Sequence, residues 1–409
     1  MKNILIILLF VPLFSFAQGW EQIYSIQGAG NSIQQTNDGG YIITGISSAD
    51  IYLLKVDMNG NFEWSNSFSE SFNNNGFSVK QTNDGGYIIA GSKDDISGNP
   101  NMWIIKTDVS GNVQWDTSYS GTPCSIAQTT DGGFILGGTR YYTSGPSAGH
   151  SKMSLRKLDS SGGLTWSRIF GTASNVDYYA LDIQQTSDNG FVIVGGRYGS
   201  NDGYALMYKT DNLGIEEWSA SHQFNNNYSV WNGVKQTTDG GFVLVGEEDN
   251  KIHFSKVNNI GTSFIFLNNS YPTENGFCNS GTSVDLTNDG GYVVCGNYCP
   301  GIFLLKTDNL GNQEWFKNIG LASAYSRLVQ QVSDGGFVIV GSSSQSGSVY
   351  LIKTNSQGNV TSVLNLPIST ERKILKEINF LGKNIKSKTN TPFIEIYDDG
   401  TVEKRITID

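Results

Sequence analysis

Short apolar runs, four to seven residues long, alternate with turn-forming clusters along most of the chain. Residues 76–119 show the pattern: GFSVKQT (76–82), NDGG, YIIAG (87–91), a variable stretch, MWIIKTD (102–108), VSGN and VQWDTSY (113–119). Runs rich in Ile, Val, Phe, Tyr and Trp between Gly/Asn/Asp turns predict strands joined as hairpins, here four in succession, a to d. Strand b is apolar nearly throughout, as in Phe191-Val192-Ile193-Val194 and Phe337-Val338-Ile339-Val340. A sheet with one wet face should alternate, so strand b is expected to be covered on both faces.

The block recurs seven times around an Asp-Gly-Gly turn, with aspartates at Asp38, Asp84, Asp131, Asp188, Asp239, Asp289 and Asp334. The fourth copy reads Asp188-Asn189-Gly190. Self-similarity at this period marks a repeat architecture whose units bury their apolar faces against one another. The expected fold is all-β: a seven-bladed β-propeller of four-stranded antiparallel blades, followed by a small C-terminal β segment. A β-helix would need shorter rungs, and an open stack would leave two apolar ends.

Trp64, Trp115, Trp166, Trp218 and Trp315 each stand four residues after a turn glycine. A further copy opens the chain at Gly19-Trp20-Glu21-Gln22-Ile23-Tyr24, while the last block ends on the weaker Gly358-Asn359-Val360-Thr361-Ser362. The N-terminal segment is therefore expected to supply the outer strand of the last blade and hide an edge. The competing arrangement uses residues 359–365 for that strand.

The segments QTNDGGYIIAG (81–91), QTTDGGFILGG (128–138), KTDVSGNVQW (106–115) and KTDNLGNQEW (306–315) resemble bacterial secreted β-propeller repeats. The K-T-D-x-x-G-N-x-x-W element is also similar to the tryptophan-docking repeat of quinoprotein dehydrogenase propellers. That resemblance implies tryptophans packed blade against blade. It spans residues 19 to about 362 and implies no particular chemistry.

The ends add two expectations. MKNILIILLFVPLFSFA (1–17) has one lysine, an apolar run and a small-residue end, the pattern of a secretory signal peptide. The apolar run is too short for a membrane span of about 20 residues. Residues 18–365 form the propeller, and residues 366–409 are lysine-rich without the repeat signature. This tail resembles, in abbreviated form, the C-terminal sorting domain of Bacteroidetes type IX secretion, through Leu381-Gly382-Lys383 and Glu403-Lys404-Arg405. The resemblance implies the type IX machinery as a partner and a secreted or cell-surface destination.

Net charge is −10, and no basic patch stands out, which argues against nucleic acid or anionic lipid as a partner. Four cysteines are too few for a disulfide-built fold. Cys278 and Cys299 fall on one face of the predicted disc and make a candidate disulfide, with Cys295 as a rival partner. Cys295 and Cys299 lack the companions of a zinc site, so no metal and no cofactor is expected.

The seven aspartates read as structural turns rather than calcium ligands, because their loops lack the dense carboxylate pattern of a calcium loop. Gln35, Gln81, Gln128, Gln185, Gln236 and Gln331 end strand a and are expected to satisfy backbone groups there; Leu286 breaks the set. The a–b and c–d turns are short and uniform. The b–c and d–a connections vary and share the opposite face, where functional loops are expected. Candidate ligand-binding residues there are Tyr141, Tyr142, His150, Tyr178, Tyr179, Tyr198, Tyr228 and Trp231, for stacking on sugars or anchoring a protein.

Catalysis has little support. His150, His222 and His253 are widely separated in sequence, and Glu247-Glu248-Asp249 reads as a hydrated surface cluster. The expectation is an exported, monomeric, non-catalytic binding or adhesion scaffold recognising glycan or protein. The alternative is a carbohydrate-active hydrolase or lyase using acidic residues at the propeller mouth.

Overall fold

The computed structural model describes residues 19–360, apart from 71–72, 96–97, 200–202, 224–228, 249–250, 263, 267–279, 299–300 and 344–346. It also describes 365–368, 374–378, 393–397 and 402–405. The protein is all-β, built of four-stranded antiparallel sheets that resemble propeller blades.

The first repeat holds β1 (Trp20–Gln35), β2 (Tyr41–Ser47), β3 (Asp50–Val56) and β4 (Phe62–Phe68). The second holds β5 (Asn75–Gln81), β6 (Tyr87–Asp94), β7 (Pro100–Thr107) and β8 (Val113–Ser120). The third holds β9 (Thr122–Gln128), β10 (Phe134–Tyr141), β11 (Ser151–Leu158) and β12 (Leu164–Phe170). The fourth holds β13 (Asp177–Gln185), β14 (Phe191–Tyr198), β15 (Gly203–Thr210) and β16 (Glu216–His222). The fifth holds β17 (Ser229–Gln236), β18 (Phe242–Glu248), β19 (Lys251–Val257) and β20 (Phe264–Phe266). The sixth holds β21 (Ser280–Leu286), β22 (Tyr292–Asn297), β23 (Ile302–Thr307) and β24 (Gln313–Ile319). The seventh holds β25 (Ala324–Gln331), β26 (Phe337–Ser343) and β27 (Ser348–Thr354).

β1 belongs to two sheets. Its second half, from Gly28, pairs with β2, while Trp20 to Tyr24 pair antiparallel with Lys353 to Val349 of β27. The N-terminal segment thus supplies the fourth strand of the seventh sheet; of the competing stretch 359–365, residues 361–364 lie outside the described residues. A short strand, β28 (Asn365–Ile368), instead runs parallel along the outer side of β1. β29 (Ile374–Ile378), β30 (Phe393–Tyr397) and β31 (Val402–Arg405) form a separate three-stranded antiparallel ladder.

The all-apolar b strands are explained by what covers them. Apolar clusters lie between consecutive sheets, as where Ile42 and Leu53 of the first meet Val79 and Ile89 of the second. Burying each such side chain contributes about 1.5–3 kcal/mol. The cluster of Trp20, Tyr24, Tyr41, Tyr52, Val338 and Leu351 joins the last sheet to the first. Each docking tryptophan lies edge-on or tilted against the first aromatic of the next sheet's b strand, at 5.8–6.0 Å between centroids. The pairs run from Trp20–Tyr41 to Trp315–Phe337.

The turn aspartate makes the same bonds in all seven copies. Each aspartate Oδ1 accepts from the amide of the residue two positions on, and a strand-c lysine closes on each carboxylate at 2.6–3.0 Å. The two glycines have different jobs. The first is left-handed (φ near +80°), and Asn189 takes this place in the fourth copy at φ 65°. The second lies so close to strand c that a Cβ would come within 2.1–2.5 Å of a carbonyl oxygen, so no copy replaces it.

The strand-end glutamines tie sheets together. Gln81 Nε2 donates to its own turn at Gly85, while its Oε1 accepts from Asn37 of the preceding repeat. Gln35 does the same with Gly39 and with Ser333 of the seventh repeat. The expected backbone role is correct, with an inter-sheet half that local reasoning did not supply.

Candidate functional site

Strands a run from the variable face toward the regular one, and their inward residues line a cavity of about 530 Å³. Each of the seven shifts register against strand b by one bulged residue. A bulge re-aims the extra residue. Here that residue is Asn31, Phe77, Cys124, Leu181, Asn232, Thr282 or Arg327, one from each repeat, and all line the cavity.

Charged groups sit further along the same strands. Lys235 Nζ lies 3.3 Å from Asp285 Oδ1. Burial opposes its charge, but Asp285 and Asp182 outweigh burial and raise its pKa. Burial raises Asp182, against the pull of Lys235 and the amides of Val234 and Ile183. Burial, together with Lys235, pushes Lys80 down to about 8. Asp182 and Asp285 both accept from amides of neighbouring sheets, at Val234 and Gln331, so they also bind the sheets together.

The aromatic candidates on the variable face divide into two sets. Trp231 is fully buried and lies edge-on to His253, and Tyr178 is buried beneath the Lys152 ammonium, 4.5 Å from its ring centre. Neither offers a surface to a ligand: bulky rings at sheet boundaries fill the core. Tyr228 lies outside the described residues, as do Cys278 and Cys299. Cys295 is a free, buried thiol, so it is not the rival disulfide partner.

The second set is accessible and adjacent. Tyr141 is 52% exposed and Tyr179 37% exposed. Tyr179 packs on Tyr198 at 5.3 Å between centroids, and Ser151, the cross-strand partner of Tyr141, lies beside its hydroxyl. Burial and the nearby Asp177 raise the Tyr179 pKa. Tyr142 is half-buried under the Arg140 guanidinium. His150 Nδ1 lies 3.5 Å from Asp177 Oδ2.

One constellation runs against the sequence reading. Glu248 is 8% exposed, not a hydrated surface group, because it ends β18 facing inward rather than out. His222 and His253 are not separated in space: their rings lie 4.9 Å apart. Glu248 lies between them, with Oε1 3.4 Å from His222 Nε2 and Oε2 2.9 Å from His253 Nδ1. Burial opposes its charge, yet the two imidazoles beside it hold its pKa down at about 2. The second nitrogen of His253, Nε2, lies 2.6 Å from Ser255 Oγ. Glu248, His253 and Ser255 thus align as carboxylate, imidazole and hydroxyl. Ser255 is fully buried, however. Among the described residues, no helix is long and apolar enough to cross a membrane.

No protein-family model and no curated protein matches the chain. Solved structures resemble it in fold. YCF48 from Cyanidioschyzon merolae aligns with a TM-score of 0.54 at 10% identity, over 83% of this chain and 99% of that one. The Pan2 WD40 domain of Neurospora crassa gives 0.53 at 10% identity, over 80% and 89%. A puromycin hydrolase gives 0.57 at 12% identity, covering 93% of this chain and 61% of the other. At these identities the likeness concerns the fold alone, a scaffold used generically for binding and for catalysis.

Proposed function

We propose that the protein is an exported, non-catalytic binding scaffold: a closed seven-bladed propeller that recognises glycan through the variable face of its third and fourth repeats. The observation that carries this reading is the exposed tyrosine group, Tyr141, Tyr179 and Tyr198, gathered around Ser151. Flat, half-buried rings beside hydroxyl and amide groups suit stacking on sugars. Ring closure is supported by Trp20 docked on Tyr41 and by Gln35 bonded to the turn of the seventh repeat. Export rests on the leader-like residues 1–17, and the tail from 366 is read as a transport address.

A glycan array probed with the purified mature chain tests the proposal. Binding that falls at least about tenfold in Tyr179→Ala and Tyr198→Ala supports it. A chain that binds no glycan, or whose binding ignores both substitutions, overturns it.

A hydrolase reading takes its support from the Glu248–His253–Ser255 alignment. Acyl transfer requires the nucleophile to meet the substrate, and a fully buried Ser255 does not. An organophosphorus serine probe should therefore leave the folded protein unlabelled. Labelling that disappears in Ser255→Ala would reverse the preference.

A further inference from the structure

We propose that His222, Glu248 and His253 form a site for a divalent transition-metal ion of the Zn²⁺ class, clamping the fourth and fifth sheets at the variable face. One donor atom from each residue lies within 4.8 Å of the others. Zn²⁺ holds nitrogen and oxygen donors at about 2.0–2.2 Å, which requires donors roughly 3–4 Å apart around the ion. The 3.4 Å separation lies in that range, the 2.9 Å one just below it, and no separation within the group exceeds 4.8 Å.

The donor chemistry is selective. Two imidazoles and one carboxylate suit zinc and its neighbours rather than Ca²⁺ or Mg²⁺, which favour oxygen. A metal at His253 Nδ1 takes the place of the proton shared with Glu248. The other ring nitrogen, Nε2, then donates to Ser255 Oγ, the kind of outer bond that orients metal-binding imidazoles. The buried Trp231 ring stands edge-on to His253 and limits its rotation.

The placement separates this cluster from the repeat chemistry. His222 ends β16 in the fourth sheet, whereas Glu248 ends β18 and His253 lies in β19 of the fifth. Aspartate-lysine pairs recur in every repeat, but the histidines occur at this boundary and at His150. Three protein donors leave a coordination position open, and His222 and Glu248 are the members that reach solvent, at 14% and 11% side-chain exposure.

Equilibrium dialysis of the mature chain against Zn²⁺, followed by elemental analysis, tests the site. The expected result is one tightly held equivalent and a thermal midpoint that rises with zinc concentration, since a ligand of the folded state stabilises it. His222→Ala and Glu248→Gln should each weaken binding by more than about 100-fold, beyond the loss from removing a residue that only orients a ligand. Circular dichroism checks that both variants fold. Absence of bound zinc in the wild type overturns the proposal. So does binding that persists undiminished in folded His222→Ala, which would place the ion elsewhere.

Discussion

The two faces of the molecule are built on opposite rules. On the regular face the same aspartate, two-glycine turn and lysine recur, and the docking tryptophans recur beside them. On the variable face nothing recurs: one repeat carries clustered tyrosines, another paired histidines with a glutamate. Repetition therefore belongs to packing between sheets, where every boundary poses the same problem. Chemistry that occurs once stands apart from that shared packing.

The contrast is easiest to break at the tryptophans. Trp20→Ala should cost about 3–5 kcal/mol in urea unfolding, because it removes a buried ring that joins the last sheet to the first. A cost below about 1 kcal/mol would mean that this boundary is not a packed one like the rest.

The two turn glycines sharpen the rule next. Gly133→Val should destabilise by about 1–3 kcal/mol, since its Cβ would sit 2.3 Å from the Leu158 carbonyl oxygen. Gly132→Asn should stay within about 1 kcal/mol, because Asn189 already occupies the equivalent left-handed position. Equal effects at the two glycines would contradict their division of labour.

Acid should act on the regular face as a whole. Asp84, Asp131, Asp188, Asp239 and Asp289 have pKa values lowered to about 2 by their threonine, lysine and glycine partners, with burial opposing. Their folded values lie below the unfolded ones. Their contribution is thus present above about pH 4 and lost as pH falls toward 2. Lys106→Met should flatten that acid limb in equilibrium unfolding, modestly, because the carboxylate it pairs with is half exposed.

Lys80 acts in the alkaline range. Its folded pKa of about 8 lies below the ordinary lysine value, so stability should rise as pH increases from about 8 to 10.5. Lys80→Met should remove part of that rise in thermal unfolding followed across the window. The smallest stability effect is expected at Tyr179→Ala, within about 0.5 kcal/mol, even where glycan binding is lost. A large loss of stability there would make the tyrosine group a packing device after all.

How much could be read from the chain follows the same division. The turn, the strand order and the N-terminal strand were legible because each is signalled within a few residues and then repeated. Asn189 is instructive, since the single altered copy substitutes the one residue besides glycine that readily accepts the left-handed conformation. Trp231 and Tyr178 misled because an aromatic ring at the start of strand a looks the same in sequence whether it faces solvent or the next sheet. Lys80, Lys235 and Asp285 sit one residue before the strand-end glutamine or its Leu286 replacement, so their position is marked, but their mutual approach is not. His222 and Glu248 come from different sheets, and no local rule places them together; packing between the sheets does.

β1 binds the beginning of the repeat region to its end. Glu21 accepts a hydrogen bond at 2.5 Å from Tyr350, 329 residues later. During synthesis the first strand must wait, unpaired along one side, until nearly all the repeats have emerged. Closing so long a segment costs only slightly more entropy than closing one half its length, but contacts this distant in sequence form slowly. The seventh sheet should accordingly be the last to consolidate, and a permuted chain that begins between β4 and β5 should refold along a different route to the same structure.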